Sequence, residues 1–217
     1  MSAKLVIWGA SSHAFVVADI IRLLGDFEIV GFLDNLNPER AGTEFCGATI
    51  LGGADQLEVL LSAGIKHVII GIGNSRARLQ LAESARAKGY HLATAIHPRA
   101  TVARDVAVGV GTVIAAGAMV NPRVRLGENV IINTGACVEH ECTIADGAMI
   151  NTGARLGGRV TVERAAAVEI GASVAAGTRI GAGSVVGAGS LVLHAIPDGV
   201  LAYGAPARVI RQIDSRD

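Results

Sequence analysis

His140 is the side chain in this sequence best suited to move a proton near neutral pH. It stands between Glu139 and Glu141, inside the run Asn133-Thr134-Gly135-Ala136-Cys137-Val138-Glu139-His140-Glu141-Cys142. An imidazole titrates near neutrality, and an adjacent carboxylate fixes its tautomer and raises its basicity. A lone His beside two acids is also what a solvated surface cluster looks like, so residue types alone leave both readings open. Metal binding is a poorer use, because zinc takes three or four ligands and no second His recurs eighteen residues away. A second set of residues follows three apolar segments: Gly9-Ala10-Ser11-Ser12-His13, Asp34-Asn35 and Gly71-Ile72-Gly73-Asn74. A Gly turn ahead of a helix leaves backbone N–H groups free for a phosphate. An acid such as Asp34 suits a ribose hydroxyl or a base N–H. Either feature alone needs no ligand; the three runs together favour a phosphorylated one. The dinucleotide fingerprint G-x-G-x-x-G is absent, which argues against a nicotinamide cofactor.

Two different scaffolds must position these residues. From Ile96 to Leu191 the chain repeats in sixes. The first place of each hexad is aliphatic, as in Ile132, Val138, Ile144 and Ile150. Four places later the residue is small, as in Ala136, Cys142, Ala148 and Ala154. Neither a period of 3.6 nor strict alternation produces this. A strict hexad is the mark of a parallel β-helix, with three faces and eighteen residues per coil. Residues 1–95 read differently. Apolar runs at Leu5–Trp8, Glu28–Leu33, His67–Ile70 and His91–Ala95 alternate with helical patterns at Ser12–Leu24, Ala54–Ala63 and Ser75–Lys88. Ser12 is the expected cap of the first helix, and Asn74 or Ser75 that of the last. Residues Asn35–Gly47 read as a loop. Alternating strands and helices predict a Rossmann-like parallel sheet whose strand ends converge on one edge. Residues 96–193 form the β-helix, and 194–217 a turn-rich cap and tail.

Composition narrows the partners. Formal charge sums to zero, with no basic run, and aromatics are 3% of residues, so a nucleic-acid surface is not expected. No apolar run approaches a membrane span, and the start does not read as a signal peptide. Cys46, Cys137 and Cys142 form no C-x-x-C and are expected as free thiols in a cytoplasmic protein, Cys142 packed in the core.

The His140-Glu141-Cys142-Thr143-Ile144 run, the Gly9–His13 loop, Gly31-Phe32-Leu33-Asp34 and Gly204-Ala205-Pro206-Ala207 together resemble one family. It is the hexapeptide-repeat sugar acyltransferases, which include sialic acid O-acetyltransferases and nucleotide-linked 4-amino-sugar N-acetyltransferases. The resemblance spans nearly the whole chain and implies a left-handed coil. It implies acetyl-CoA as co-substrate, no metal, and a nucleotide-linked 4-amino sugar as acceptor in surface polysaccharide (O-antigen) synthesis. GDP-perosamine is the leading acceptor; a UDP-linked 4-amino sugar, or O-acetylation of sialic acid, is the alternative. His140 matches the family's base, Glu141 its partner, Asn133 the amine-facing residue and Gly158 the oxyanion-donating N–H. Ile170 and Ala188 match the acetyl-CoA groove. Gly9, Ser11, Ser12, His13, Asp34, Asn35, Gly71 and Gly73 fall in the nucleotide-sugar loops. Met149 stands where many members carry a second His, so that contact is missing. The family is trimeric, and outward apolar places at Ala115, Ala116, Met119, Ile131, Met149, Ala165, Ala167, Ala175 and Ala176 are expected to be covered between subunits.

Overall fold

The computed structural model describes residues 2–213. It divides into two compact units, Met1–Pro98 and Arg99–Asp217. In the first, the elements run β1 (Ala3–Trp8), α1 (Ser12–Leu24), β2 (Phe27–Leu33), β3 (Glu44–Phe45), β4 (Ala48–Gly52), α2 (Gln56–Ser62), β5 (His67–Ile70), α3 (Ser75–Ala87) and β6 (His91–Leu92). The sheet order is β3-β4-β2-β1-β5-β6. Every pair is parallel except the β3–β4 hairpin. Leu5, Val6 and Ile7 of β1 are wholly buried, the continuous apolar run of a strand with both faces covered. Helix α1 turns Ala14, Val17, Ala18, Ile20 and Ile21 inward and stops at Gly25 in the left-handed conformation (φ 74°).

Local details differ from expectation where the signal was short. The cap of α1 is Ser11, without a side-chain bond, and Ser12 is the first helical residue. At α3 the cap is Asn74, whose side chain accepts from the Ala77 N–H at 2.9 Å. Ala48–Gly52, which no pattern marked, is strand β4 and pairs Ile50 with Phe32 of β2. Its five residues bury only Ile50, too little alternation to read. The stretch Asn35–Gly47 is not one loop: it holds a 3₁₀ turn at Pro38–Arg40 and strand β3. His91–Ala95 is broken after Leu92 and resumes at Ala95–Ile96.

The second unit is a parallel coil of two-residue strands. Met119, Cys137, Arg155, Ser173 and Leu191 stack on one face, each paired with the next at an eighteen-residue step. Val113, Ile131, Met149, Ala167 and Val185 stack on a second. Ala107, Arg125, Thr143, Thr161 and Arg179 stack on the third. Ile132, Val138, Ile144 and Ile150 are fully buried, as are Ala136, Cys142, Ala148 and Ala154 at the corners. Cys142 donates its thiol to the Gly157 carbonyl, and all three cysteines are free. One corner turns through left-handed residues that are not glycine: Arg123 (φ 64°), Glu141 (φ 61°) and Arg159 (φ 59°).

Val200–Gly204 adds to the Val185 strand and folds back on Ala207–Gln212, so a hairpin closes the described chain. Of the expected cap and tail, residues 214–217 lie outside the described residues. The outward apolar set splits. Met119 is exposed (47%), but Ala115, Ile131 and Ala167 are already buried within a single chain and need no second subunit to cover them.

Candidate functional site

His140 sits on the corner between strands Cys137–Val138 and Thr143–Ile144. The left-handed turn at Glu141 sends the imidazole outward, where it is about half exposed (49%). Its Nδ1 lies 3.2 Å from Glu141 Oε2, and Glu141 Oε1 lies 3.5 Å from an Arg123 guanidinium nitrogen. An ionised carboxylate only accepts, so the contact suits the tautomer with its proton on Nδ1, which leaves Nε2 as the acceptor of the neutral ring. Gly158, one coil on, lies directly beneath the ring. A Cβ there would stand 2.7 Å from both Cε1 and Nε2 of His140. The Gly158 backbone is not left-handed, so space for the imidazole is what glycine supplies here. The Gly158 N–H donates to no group among the described residues. His140, Glu141 and Gly158 thus form one cluster.

Asn133 stands on a different corner, one face away across strand Cys137–Val138. The single chain does not bring it to His140. Instead its Nδ2 donates to Asn151 Oδ1 at 3.4 Å, and Asn151 Nδ2 donates to Glu169 Oε2 at 2.9 Å. Burial pushes the Glu169 carboxyl above its ordinary value, partly offset by a bond from the Ile170 N–H. Ile170 (58% exposed) and Ala188 lie beside this ladder on the same outer corner, joined by Gly189 N–H to the Ile170 carbonyl at 2.8 Å. Sequence reading passed over Asn151 and Glu169. The signal was present: two further polar residues at eighteen-residue steps from Asn133, in a column whose other members are His97, Ala115 and Gly187.

In the first unit, the strand ends enclose a cavity of about 520 Å³. Gly9, Ser11, Asp34, Asn35 and Gly73 line it; Ser12, His13 and Gly71 do not. Gly71 serves packing: a Cβ on it would meet Ile7 at 2.8 Å and the Gly9 carbonyl at 3.2 Å. Ser12 is exposed on the first turn of α1. His13 Nε2 is buried without a partner, and burial, then the Arg78 charge, lowers its pKa to about 4, so the ring is neutral. Asp34 faces inward (7% exposed) and is used by its own loop. It accepts from the Leu36 and Asn37 N–H groups, the Asn37 amide and the Arg40 guanidinium at 2.8 Å. Burial opposes its ionisation, but these donors outweigh that and hold the carboxyl below its usual range. Asn35 Oδ1 accepts from the Trp8 indole at 3.2 Å. Trp8, Asn37 and Arg40 were not foreseen, since no local motif marks a strand-end Trp or a loop Arg.

A hexad-built left-handed β-helix with an imidazole over a glycine one coil away is the architecture of a hexapeptide-repeat acyltransferase. The PglD N-terminal domain family matches residues 4–85. PerB from Caulobacter crescentus, solved with CoA and GDP-perosamine, is 34% identical with a TM-score of 0.92, covering 96% of this chain and 98% of its own. The acetyltransferase domain of PglB from Neisseria gonorrhoeae FA1090 is 35% identical with a TM-score of 0.90, covering 96% of this chain and 100% of its own. The same domain was also solved with acetyl coenzyme A. Among curated proteins no sequence match was found. The chain belongs to the hexapeptide-repeat sugar acyltransferase family. No group of three or more His, Cys, Asp or Glu suited to a metal occurs among the described residues. No helix among them is long and apolar enough to cross a membrane.

Proposed function

We propose that this protein transfers the acetyl group of acetyl-CoA to the amino group of a nucleotide-linked 4-amino sugar, with GDP-perosamine as the first acceptor to test. The observation that carries the reading is the His140 imidazole, held by Glu141 and seated over Gly158. In this reading the neutral amine nitrogen attacks the thioester carbonyl and forms the C–N bond. His140 Nε2 takes the amine proton. The Gly158 N–H donates to the tetrahedral oxyanion, a contribution of about 3–4 kcal/mol where such donors have been removed. As the C–S bond breaks, the proton passes from His140 to the leaving thiolate. The strand-end cavity holds the nucleotide, with Ser11, Asn35 and Gly73 facing it and Asp34 shaping its wall.

Asn133, Ile170 and Ala188 occupy one corner and His140 another, which supports a homotrimer. Two different corners that must meet make a heterologous contact, and such contacts close into rings. A three-fold ring would set the amine-facing Asn133 and the acetyl-CoA groove of one subunit against His140 of the next. A cytoplasmic protein acting in surface polysaccharide assembly fits this chemistry. The test is thiol release from acetyl-CoA with GDP-perosamine, UDP-linked 4-amino sugars and sialic acid in parallel. Release with an amino sugar is expected. Release with sialic acid alone would convert the assignment to O-acetylation, and release with none would remove it.

A further inference from the structure

The ladder Asn133–Asn151–Glu169 has a direction, and its far end sets it. Asn151 turns its amide nitrogen to Glu169 at 2.9 Å, the orientation that an ionised Glu169, which accepts and never donates, enforces. The Asn151 oxygen is then committed to the coil before, where it accepts from Asn133 Nδ2. That in turn points Asn133 Oδ1 the other way, where it accepts from the Thr134 N–H at 2.9 Å. An amide oxygen has two acceptor sites, and Thr134 uses one. Asn151 is buried (8% exposed) and Glu169 half-buried, so little water competes for these bonds. We propose that Glu169, acting through Asn151, is a positioning residue that fixes the Asn133 carbonyl oxygen as acceptor for an N–H of the incoming amine. The proposal rests on the acetyl-transfer reading above. The chemistry requires this polarity. An amine that donates an N–H to Oδ1 keeps its lone pair free for the thioester. A reversed Asn133 would donate into that lone pair and occupy the electrons that must attack.

The test is a double-mutant cycle on the full-length protein, with GDP-perosamine or the best amino-sugar acceptor. Glu169→Gln keeps the shape but lets either end of the side chain face Asn151. It is expected to lower kcat by about tenfold, less than the roughly 10²-fold of a full 1 Å misplacement because Asn133 stays in place and only its amide polarity is released. KM for acetyl-CoA and the thermal midpoint should stay near wild type. Asn151→Ser, which cuts the ladder without touching Glu169, should reproduce the loss and covers the case in which the first variant folds poorly. In an Asn133→Ala background, Glu169→Gln should change kcat by less than about twofold, because its effect has lost its carrier. An equal loss in both backgrounds, or none in the first, overturns the proposal. So does an unimpaired Asn133→Ala, which would leave acetyl transfer itself standing. A wild-type protein that turns over no nucleotide-linked amino sugar overturns both.

Discussion

Gly158→Ala is the change that most directly questions the site. The backbone at Gly158 accepts a side chain, so the substitution should cost no stability and, through the unfolded chain, could add about 0.4–1 kcal/mol. The new Cβ would stand 2.7 Å from Nε2 and Cε1 of His140, against an ordinary contact of about 3.5 Å, so the ring must move by roughly 0.8 Å. A displacement of about 1 Å at a reacting group costs on the order of 10²-fold in rate. The neighbouring Gly157→Ala is the control. Its Cβ would meet the Ala176 backbone nitrogen at 2.7 Å and the Val174 carbonyl at 3.2 Å, groups that cannot swing aside. Overpacking against backbone costs about 1–3 kcal/mol. Thermal denaturation and steady-state thiol release on both variants separate the effects. Gly158→Ala should keep the wild-type midpoint and lose about 10²-fold in kcat. Gly157→Ala should lower the midpoint by roughly 2–10 °C and keep most of its activity at low temperature. Full activity in Gly158→Ala would refute the placement of the working nitrogen over that glycine.

Other substitutions probe the remaining parts. His140→Ala should lower kcat by about 10²–10⁴-fold, as loss of a general base does, and a much smaller loss in single-turnover rate would leave His140 a positioning role only. Asp34 is held below its ordinary pKa, so its contribution is fully present above about pH 4, the unfolded value, and is lost as pH falls through the lower folded value. Asp34→Asn should therefore lower the thermal midpoint at pH 7, and the gap from wild type should close in strong acid; a gap independent of pH would exclude the carboxylate. His13 is also depressed, to about 4, but as a base that is kept neutral. The unfolded chain binds the proton first, so stability should fall as pH drops from about 6.5 to about 4, by on the order of 3 kcal/mol, and His13→Gln should flatten that slope in urea titrations. Ile150→Ala, at a fully buried hexad place, should cost about 2–5 kcal/mol by chemical denaturation.

The legible part of this protein is the part with a fixed step. Six residues set a face and eighteen a coil, so the sequence alone determined that Val138 and Ile144 point inward and that Gly158 follows His140 by one turn. It also determined the alternation of strands and helices in the first unit, because three of its strands are largely apolar runs that stop at Gly9, Asp34 and Gly71. What only the tertiary structure decided is where side chains face and which distant groups meet. Asp34 read as an acid free for a ligand, and the structure places it in the cavity wall with Arg40, Leu36 and Asn37 already donating to it. Gly71 read as part of a ligand loop, yet it is a packing contact against Gly9. Asn133 and His140 lie seven residues apart in one motif, yet a whole face of the coil separates them, and the side chain that Asn133 bonds is Asn151 at an eighteen-residue offset. The reason is physical. A repeat is a one-dimensional rule, so position along the coil follows from counting. The facing of a loop carboxylate depends on how its loop folds: the donors to Asp34 lie two to six residues on, at Leu36, Asn37 and Arg40, and an irregular loop has no period from which that turn could be counted.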